Sequence, residues 1–182
     1  MRRRCVELQP KWQAEYGVHV TARAGLSSGE CVVGNMGSRH KYNYTVMGDM
    51  VNLASRLEGA NKAYGTHVMI SESTQAALGD AVVTRELDVI AVKGKEQPVR
   101  VFEVLGVPGD VDAAIVARAD AFAAALARYR ARDFAGALAG FEAILSAASD
   151  DGPSKTYVER CRWLLDHPPD EPWDGVWHLK EK

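Results

Sequence analysis

The chain has 182 residues, 47% of them apolar and 25% charged, with a net charge of −2. This composition excludes a disordered chain and leaves room for one ordinary domain, or a small domain with an appendage. The near-neutral balance gives no overall steering towards nucleic acid or an acidic membrane.

Cys5, Cys31 and Cys161 are odd in number, widely spaced and outside any Cys-x-x-Cys or Cys/His ligand pattern. They read as reduced cytosolic thiols rather than a disulfide framework. The opening MRRRCVELQPKW has a basic start with no apolar run behind it, so it is not a signal peptide. No stretch approaches the ~18 apolar residues of a membrane span. The expectation is a soluble, cytoplasmic chain without membrane contact of its own.

Residues 3–9 and 11–16 read as weakly helical, interrupted by Pro10. Val18, Val20, Ala22, Ala24 and Leu26 then alternate with His19, Thr21, Arg23 and Gly25, which predicts a strand with one buried face. SSGE (27–30) is a turn and CVVGN (31–35) returns, predicting a hairpin between these two segments. YNYTVM (42–47) reads as extended. Asp49 is placed as the cap of a helix running to about Asn61. HVMIS (67–71) predicts a strand and Glu72–Leu78 a short helix. AVVTREL (81–87) and PVRVFEVL (98–105) predict strands that flank the loop VKGKEQ. The connections are too short for a doubly wound sheet, so the reading is α+β, with an antiparallel or mixed sheet and helices on one face.

Gly106, Pro108 and Gly109 punctuate the chain, and the composition turns alanine-rich after them. The boundary is therefore set between 1–106 and 107–182, the second part being an all-α extension. VDAAIVARADAFAAALARYRARD and FAGALAGFEAILSAAS predict two amphipathic helices joined at Asp133-Phe134, with a third from about Ser154 to Leu165. Tyr129, Asp133, Phe134, Ala137, Leu138, Phe141 and Leu145 resemble the interlocking positions of a tetratricopeptide helix pair, though only about one unit is present. The two tryptophans of PPDEPWDGVWHL read as a packing anchor for the C-terminus.

Chemistry points to the helix opening at Asp49. Met50, Leu53, Ala54 and Leu57 recur at helical spacing as a buried stripe. Asn52 and Arg56 lie together on the other side, one turn apart. A solvated face is the bland explanation. Against it stands the context, an extended segment and a Gly turn that lead into the helix and set Thr45, Asn52 and Arg56 around a common opening. Arginine can stabilise charge on a phosphoryl group, and asparagine can hold a ribose or phosphate oxygen in line.

The run GLSSGECVVGNMGSRHKYNYTVMGDMVNLASRLEGANK resembles the second half of a class III nucleotidyl cyclase catalytic domain. The resemblance continues through GTHVMISESTQAAL and VKGKEQPVRVFEVLG, and so covers Gly17 to about Gly106. It implies a ferredoxin-like cyclase fold in which two catalytic domains pair head to tail, with sites at their interface. One partner supplies two aspartates that hold two divalent cations, Mg²⁺ or Mn²⁺. The other supplies the asparagine and arginine of this helix. Carried over, Asn52 orients the ribose and Arg56 stabilises charge on the α-phosphate during in-line attack. Thr45 matches the base-reading position, and Lys93 matches the lysine on the terminal phosphates, with Lys95 as the alternative. Threonine resembles the bacterial adenylyl subgroup and favours ATP, but a hydroxyl both donates and accepts, so guanylate cyclase stays open.

The departures from the pattern are equally specific. The family's F-x-D-I-x-G-F strand and the hairpin bearing its second metal aspartate are not found in this sequence. The reading is a cyclase portion incomplete at its front, with no metal ligand of its own and no activity by itself. Within a complete enzyme it would serve a homodimer that converts ATP to cyclic AMP and pyrophosphate in signal transduction, its tail free to engage a protein partner. A non-catalytic regulatory or interaction module is the alternative.

Overall fold

The computed structural model describes residues 2–38, 41–90 and 98–169, with Trp173 and Gly175. In chain order these form α1 (Arg2–Tyr16), β1 (Ala24–Leu26), β2 (Val32–Ser38), β3 (Lys41–Met47), α2 (Asp49–Tyr64), β4 (Val68–Ser71), α3 (Glu72–Leu78), β5 (Val83–Ile90), β6 (Val99–Gly106), α4 (Ala113–Arg130), α5 (Phe134–Ala147) and α6 (Gly152–Asp166). Four strands make one sheet in the order β1-β4-β6-β5. The β1/β4 pair is parallel, and the β4/β6 and β5/β6 pairs are antiparallel. With its helices, this mixed sheet is the expected α+β fold.

Three local expectations need correction. The alternating segment from Val18 forms a strand only over Ala24–Leu26, and it pairs with β4 rather than with the segment after the turn. Val18 and Val20 are exposed, and their backbone is satisfied from α1. The Gln9 side chain donates to the Val18 carbonyl at 3.1 Å and accepts from the Val20 amide at 3.0 Å. One carboxamide thus takes the place of a neighbouring strand's peptide. The hairpin forms one segment later, β2 against β3, in a separate two-stranded ribbon with Val33 opposite Val46 and Gly34 opposite Thr45. Pro10 does not interrupt α1. Both Pro10 and Val6 are exposed, so water can satisfy the carbonyl that loses its amide partner.

Leu53, Leu57 and Tyr64 of α2, Met69 of β4, Leu87 of β5 and Val101 of β6 are buried in one cluster with Phe122, Tyr129, Phe141, Tyr157 and Leu164 of the later helices. The aromatic rings meet at 4.9–5.7 Å between centroids, with Phe141 stacked on Tyr157 and Trp173 edge-on to Tyr129 and Phe134. Trp173 is therefore an anchor, as its sequence context suggested. Trp177 lies outside the described residues.

The sheet and the later helices are also joined by buried charge. In a regular strand, residues three apart point to opposite faces. The register of β5 against β6 slips between Glu86 and Asp88, a bulge that leaves Leu87 as the extra residue. Arg85, Leu87, Asp88 and Ile90 are consequently all buried on the helical side. Arg85 donates to Asp151, the N-cap residue of α6, at 2.8 Å and to Glu103 of β6 at 2.6 Å, and its guanidinium lies over Phe122. Arg160 of α6 donates to Asp88 at 2.6 Å. At the sheet edge Arg130 donates to Glu86 at 2.5 Å. Among the described residues no helix is long and apolar enough to cross a membrane.

Candidate active site

The ribbon feeds α2 through Gly48. A side chain at this position would meet Met50 Sδ at 2.7 Å and the Glu30 carbonyl at 3.1 Å, so the turn leaves little room beyond glycine. Gly48 is itself the N-cap, without a side-chain capping bond. Asp49 occupies the first helical position instead of capping, which corrects the sequence expectation. Its exposed carboxylate still complements the positive end of the helix.

The helix then lies directly on the β1 backbone. A Cβ at Gly25 would sit 2.1 Å from the Ala54 carbonyl oxygen and 2.3 Å from the Glu58 amide nitrogen. Leu53 and Leu57 are buried beneath it, and Met50 and Ala54 are half-buried, so the predicted stripe faces inward. Arg23 pairs with Glu58 at 3.2 Å on the surface. Asn61 shows what a structural asparagine does here. It is fully buried, donates to the Ala24 and Leu57 carbonyls at 3.0 and 2.8 Å, and accepts from the Thr66 hydroxyl at 2.8 Å.

Asn52 is different: it is exposed, one turn from the half-buried Arg56, off the Leu53/Leu57 stripe. Helix α2 therefore brings an amide and a guanidinium together on its outer side. Thr45 is exposed on β3, on the ribbon face it shares with Val32 and Met47, four residues before α2 begins. Lys93 and its alternative Lys95 lie outside the described residues. The described residues contain no group of three His, Cys, Asp or Glu side chains able to hold a metal ion. They do not fit a two-cation centre.

Sequence reasoning missed what holds the far end of α2. The Ala63 carbonyl accepts from the Thr156 hydroxyl of α6 at 2.9 Å. The Tyr64 hydroxyl donates to Asp88 and accepts from Arg160 at 2.9 Å, with the Arg160 guanidinium over its ring. Burial, with the Asp88 carboxylate adding to it, holds the Tyr64 phenol well above its ordinary pKa despite the opposing Arg160 charge, so it remains a donor. Part of the signal was present in the sequence: Arg160 falls on the buried face of α6 between Tyr157 and Cys161.

Comparison with known proteins agrees with this fold. The family described as "Adenylate and Guanylate cyclase catalytic domain" matches residues 4–105. Adenylate cyclase 1 of Rhizobium meliloti is 40% identical over 98 residues, covering 54% of this chain and 14% of that protein. The terminal-differentiation specific adenylate cyclase of Dictyostelium discoideum is 30% identical over 146 residues, covering 78% of this chain and 7% of that protein. That alignment is longer than the part preceding the final helices, so it runs into them. The crystal structure of the adenylyl cyclase CyaB from P. aeruginosa superposes with a TM-score of 0.51 at 33% identity, covering 61% of this chain and 56% of that one. The chain thus spans a small fraction of the length of these curated relatives. On the matched residues, and on the α+β fold they form, the chain belongs to the adenylate and guanylate cyclase catalytic domain family.

Proposed function

We propose that this chain supplies the Asn/Arg half of an adenylate cyclase site, in an enzyme that converts ATP to 3′,5′-cyclic AMP and pyrophosphate for intracellular signalling. The observation that carries this reading is the pairing of Asn52 and Arg56 on the outer side of a helix whose inner side is fully accounted for by packing. Arg56 stabilises the charge that builds on the α-phosphate as the 3′-oxygen attacks, and Asn52 holds the ribose in line. Thr45 reads the base and Lys93 meets the terminal phosphates. Mg²⁺ or Mn²⁺ supplies charge neutralisation in the complete enzyme, held by carboxylates of a second cyclase domain that pairs with this one. Residues 1–106 form the cyclase portion and residues 107–182 a tetratricopeptide-like extension.

The chain by itself is therefore inactive. Mixed with a catalytic domain that has intact metal aspartates but a disabled Asn/Arg helix, it restores cyclic AMP formation, and Arg56→Ala abolishes the rescue. Activity of the isolated chain, or rescue that survives Arg56→Ala, overturns this reading.

A second reading, a non-catalytic regulatory module, draws on the groove of about 740 Å³ between α4 and α5, lined by Ala121, Ala124, Gly136 and Gly140 among other small residues. It gains ground if rescue fails while the chain still changes the activity of an intact cyclase.

A further inference from the structure

The outer side of α2 carries the candidate catalytic pair, its inner side packs on β1 and β4, and two close approaches stand out along its length. One is the close approach to β1 at Gly25, between Ala54 and Glu58, continued by the Asn61 bond to Ala24. The other is its C-terminal end, and there the contacts come from α6. Gly152 is so close that a Cβ on it would lie 2.3 Å from the Tyr64 carbonyl oxygen and 2.9 Å from Gly65 Cα. The Thr156 hydroxyl proton is shared between the Ala63 carbonyl at 2.9 Å and the Gly152 carbonyl at 3.2 Å, so one side chain ties the last turn of α2 to the first turn of α6. Arg160 closes the anchor through Tyr64 and Asp88, with all three side chains buried.

The contact with Gly25 spans Ala54 to Glu58, so Asn52 lies on its N-terminal side, Tyr64 on its C-terminal side and Arg56 within it. A helix held at one point can tilt or roll about it. A second contact beyond Arg56 opposes the tilt. From Arg56 to Tyr64 the helix rises about 12 Å at 1.5 Å per residue, rigid over that span. A displacement of the Tyr64 end therefore swings Asn52 the opposite way about that contact and re-aims the Arg56 side chain that projects from it. In-line phosphoryl transfer is sensitive to such shifts, because a misplacement of about 1 Å costs roughly a hundredfold in rate.

We infer that α6 is a positioning element of the cyclase site: Gly152, Thr156 and Arg160 set the orientation of α2, and through it the placement of Asn52 and Arg56. This rests on the reading of Asn52 and Arg56 given under Proposed function. Gly152, Thr156 and Arg160 touch no nucleotide. They act through the helix, and any movement of the later helices relative to the sheet is felt at the site.

The test uses the full chain in the complementation assay with Mn²⁺ and ATP. Thr156→Val keeps the shape and removes the bond to Ala63, and Gly152→Ala wedges α6 away from the Tyr64 carbonyl. Each should lower kcat by roughly 10- to 100-fold and leave KM for ATP within about twofold, with the melting transition still cooperative. Thr156→Ser, which retains the hydroxyl, should restore the rate. In the chain alone, hydrogen exchange of the amides over 57–64 should quicken in Thr156→Val and Gly152→Ala while those of β5 stay protected. Unchanged kcat together with unchanged exchange overturns the inference. So does a loss of rate that Thr156→Ser does not recover. If both variants rescue fully while Arg56→Ala does not, α6 has no positioning role and the assignment of Arg56 stands. If wild-type chain gives no rescue, that assignment fails, and unchanged exchange over 57–64 then separately refutes the anchor.

Discussion

Arg160 and Asp88, 72 residues apart in sequence, meet at 2.6 Å with both side chains 4% exposed or less. The pair joins the last described helix to the bulged strand, and the Tyr64 hydroxyl completes it. Removing one partner leaves a buried charge unmatched, at a cost of about 3–5 kcal/mol. Arg160→Met should therefore lower stability by about that much. The double variant Asp88→Asn with Arg160→Met should recover a large part of the loss, as a shift of the urea midpoint in a double-mutant cycle. Additive losses would mean the two charges do not meet.

Asp151 adds a pH dependence of known sign. Burial alone would push its carboxyl up, but the Ser154 hydrogen bond and the Arg85 charge outweigh this and hold it below the ordinary carboxylate value. A depressed folded pKa stabilises the protein above the unfolded value of about 3.9, and that contribution fades as pH falls through the folded value. Chemical denaturation should thus show Asp151→Asn less stable at pH 7 and the two proteins converging below about pH 4. A gap that persists unchanged into acid would assign the effect of Asp151 to shape rather than charge.

The three thiols should separate by reactivity. Cys31 is exposed and Cys5 half-buried, whereas Cys161 is buried on α6. Burial pushes the Cys161 thiol up to about 12, against the pull of the Arg160 charge. At pH 8 a thiol reagent should label Cys31 readily and leave Cys161 intact until denaturant is added, read by peptide mass. Early labelling of Cys161 in the native chain would show that α6 does not stay docked.

Base choice should answer to Thr45. In the complete enzyme Thr45→Asp should raise the ATP/GTP ratio of kcat/KM, because a carboxylate accepts from the adenine amino group and repels the guanine carbonyl. An unchanged or lower ratio would remove Thr45 from the base site.

The proposed pairing of two cyclase domains can be tested at the ribbon. Tyr42, Tyr44, Val33 and Val46 share its face opposite Thr45, and all four are exposed, Tyr44 by 76%. An apolar patch of this kind marks an association surface. Sedimentation should find a dimer at micromolar concentration, and Tyr44→Asp should shift it to monomer. A wild-type monomer throughout would reject the ribbon as the pairing surface.

What was legible in the sequence followed from periodicity matched by burial. The stripe through Leu53 and Leu57 named the inner side of α2, and with it the outer position of Asn52. The runs around Val46, Ile70 and Phe102 became strands because their branched and aromatic side chains suit a pleated sheet. What failed did so where a side chain replaced a backbone partner. Val18 and Val20 alternate like a strand, yet Gln9 satisfies them and no sheet forms there. Asp49 has the chemistry of a cap, but Gly48 takes that place and the helix starts one residue earlier than expected. The docking charges escaped notice because strand alternation assigns Arg85 and Asp88 to opposite faces, and a bulge cannot be read from alternation alone.

That bulge makes the docking of the helices a question of parity. Two residues separate Arg85 from Asp88, an even count that only the extra residue Leu87 makes compatible with a shared side. Deleting Leu87 would empty a buried site, yet it would leave only Glu86 between the two charges, and plain alternation would then keep Arg85, Asp88 and Ile90 on the helical side. A related sequence one residue shorter at this point would seat Arg160 without a bulge, whereas one of equal length that paired regularly would turn Asp88 away from it. Segment length and bulge together decide whether such a sheet can carry this helix.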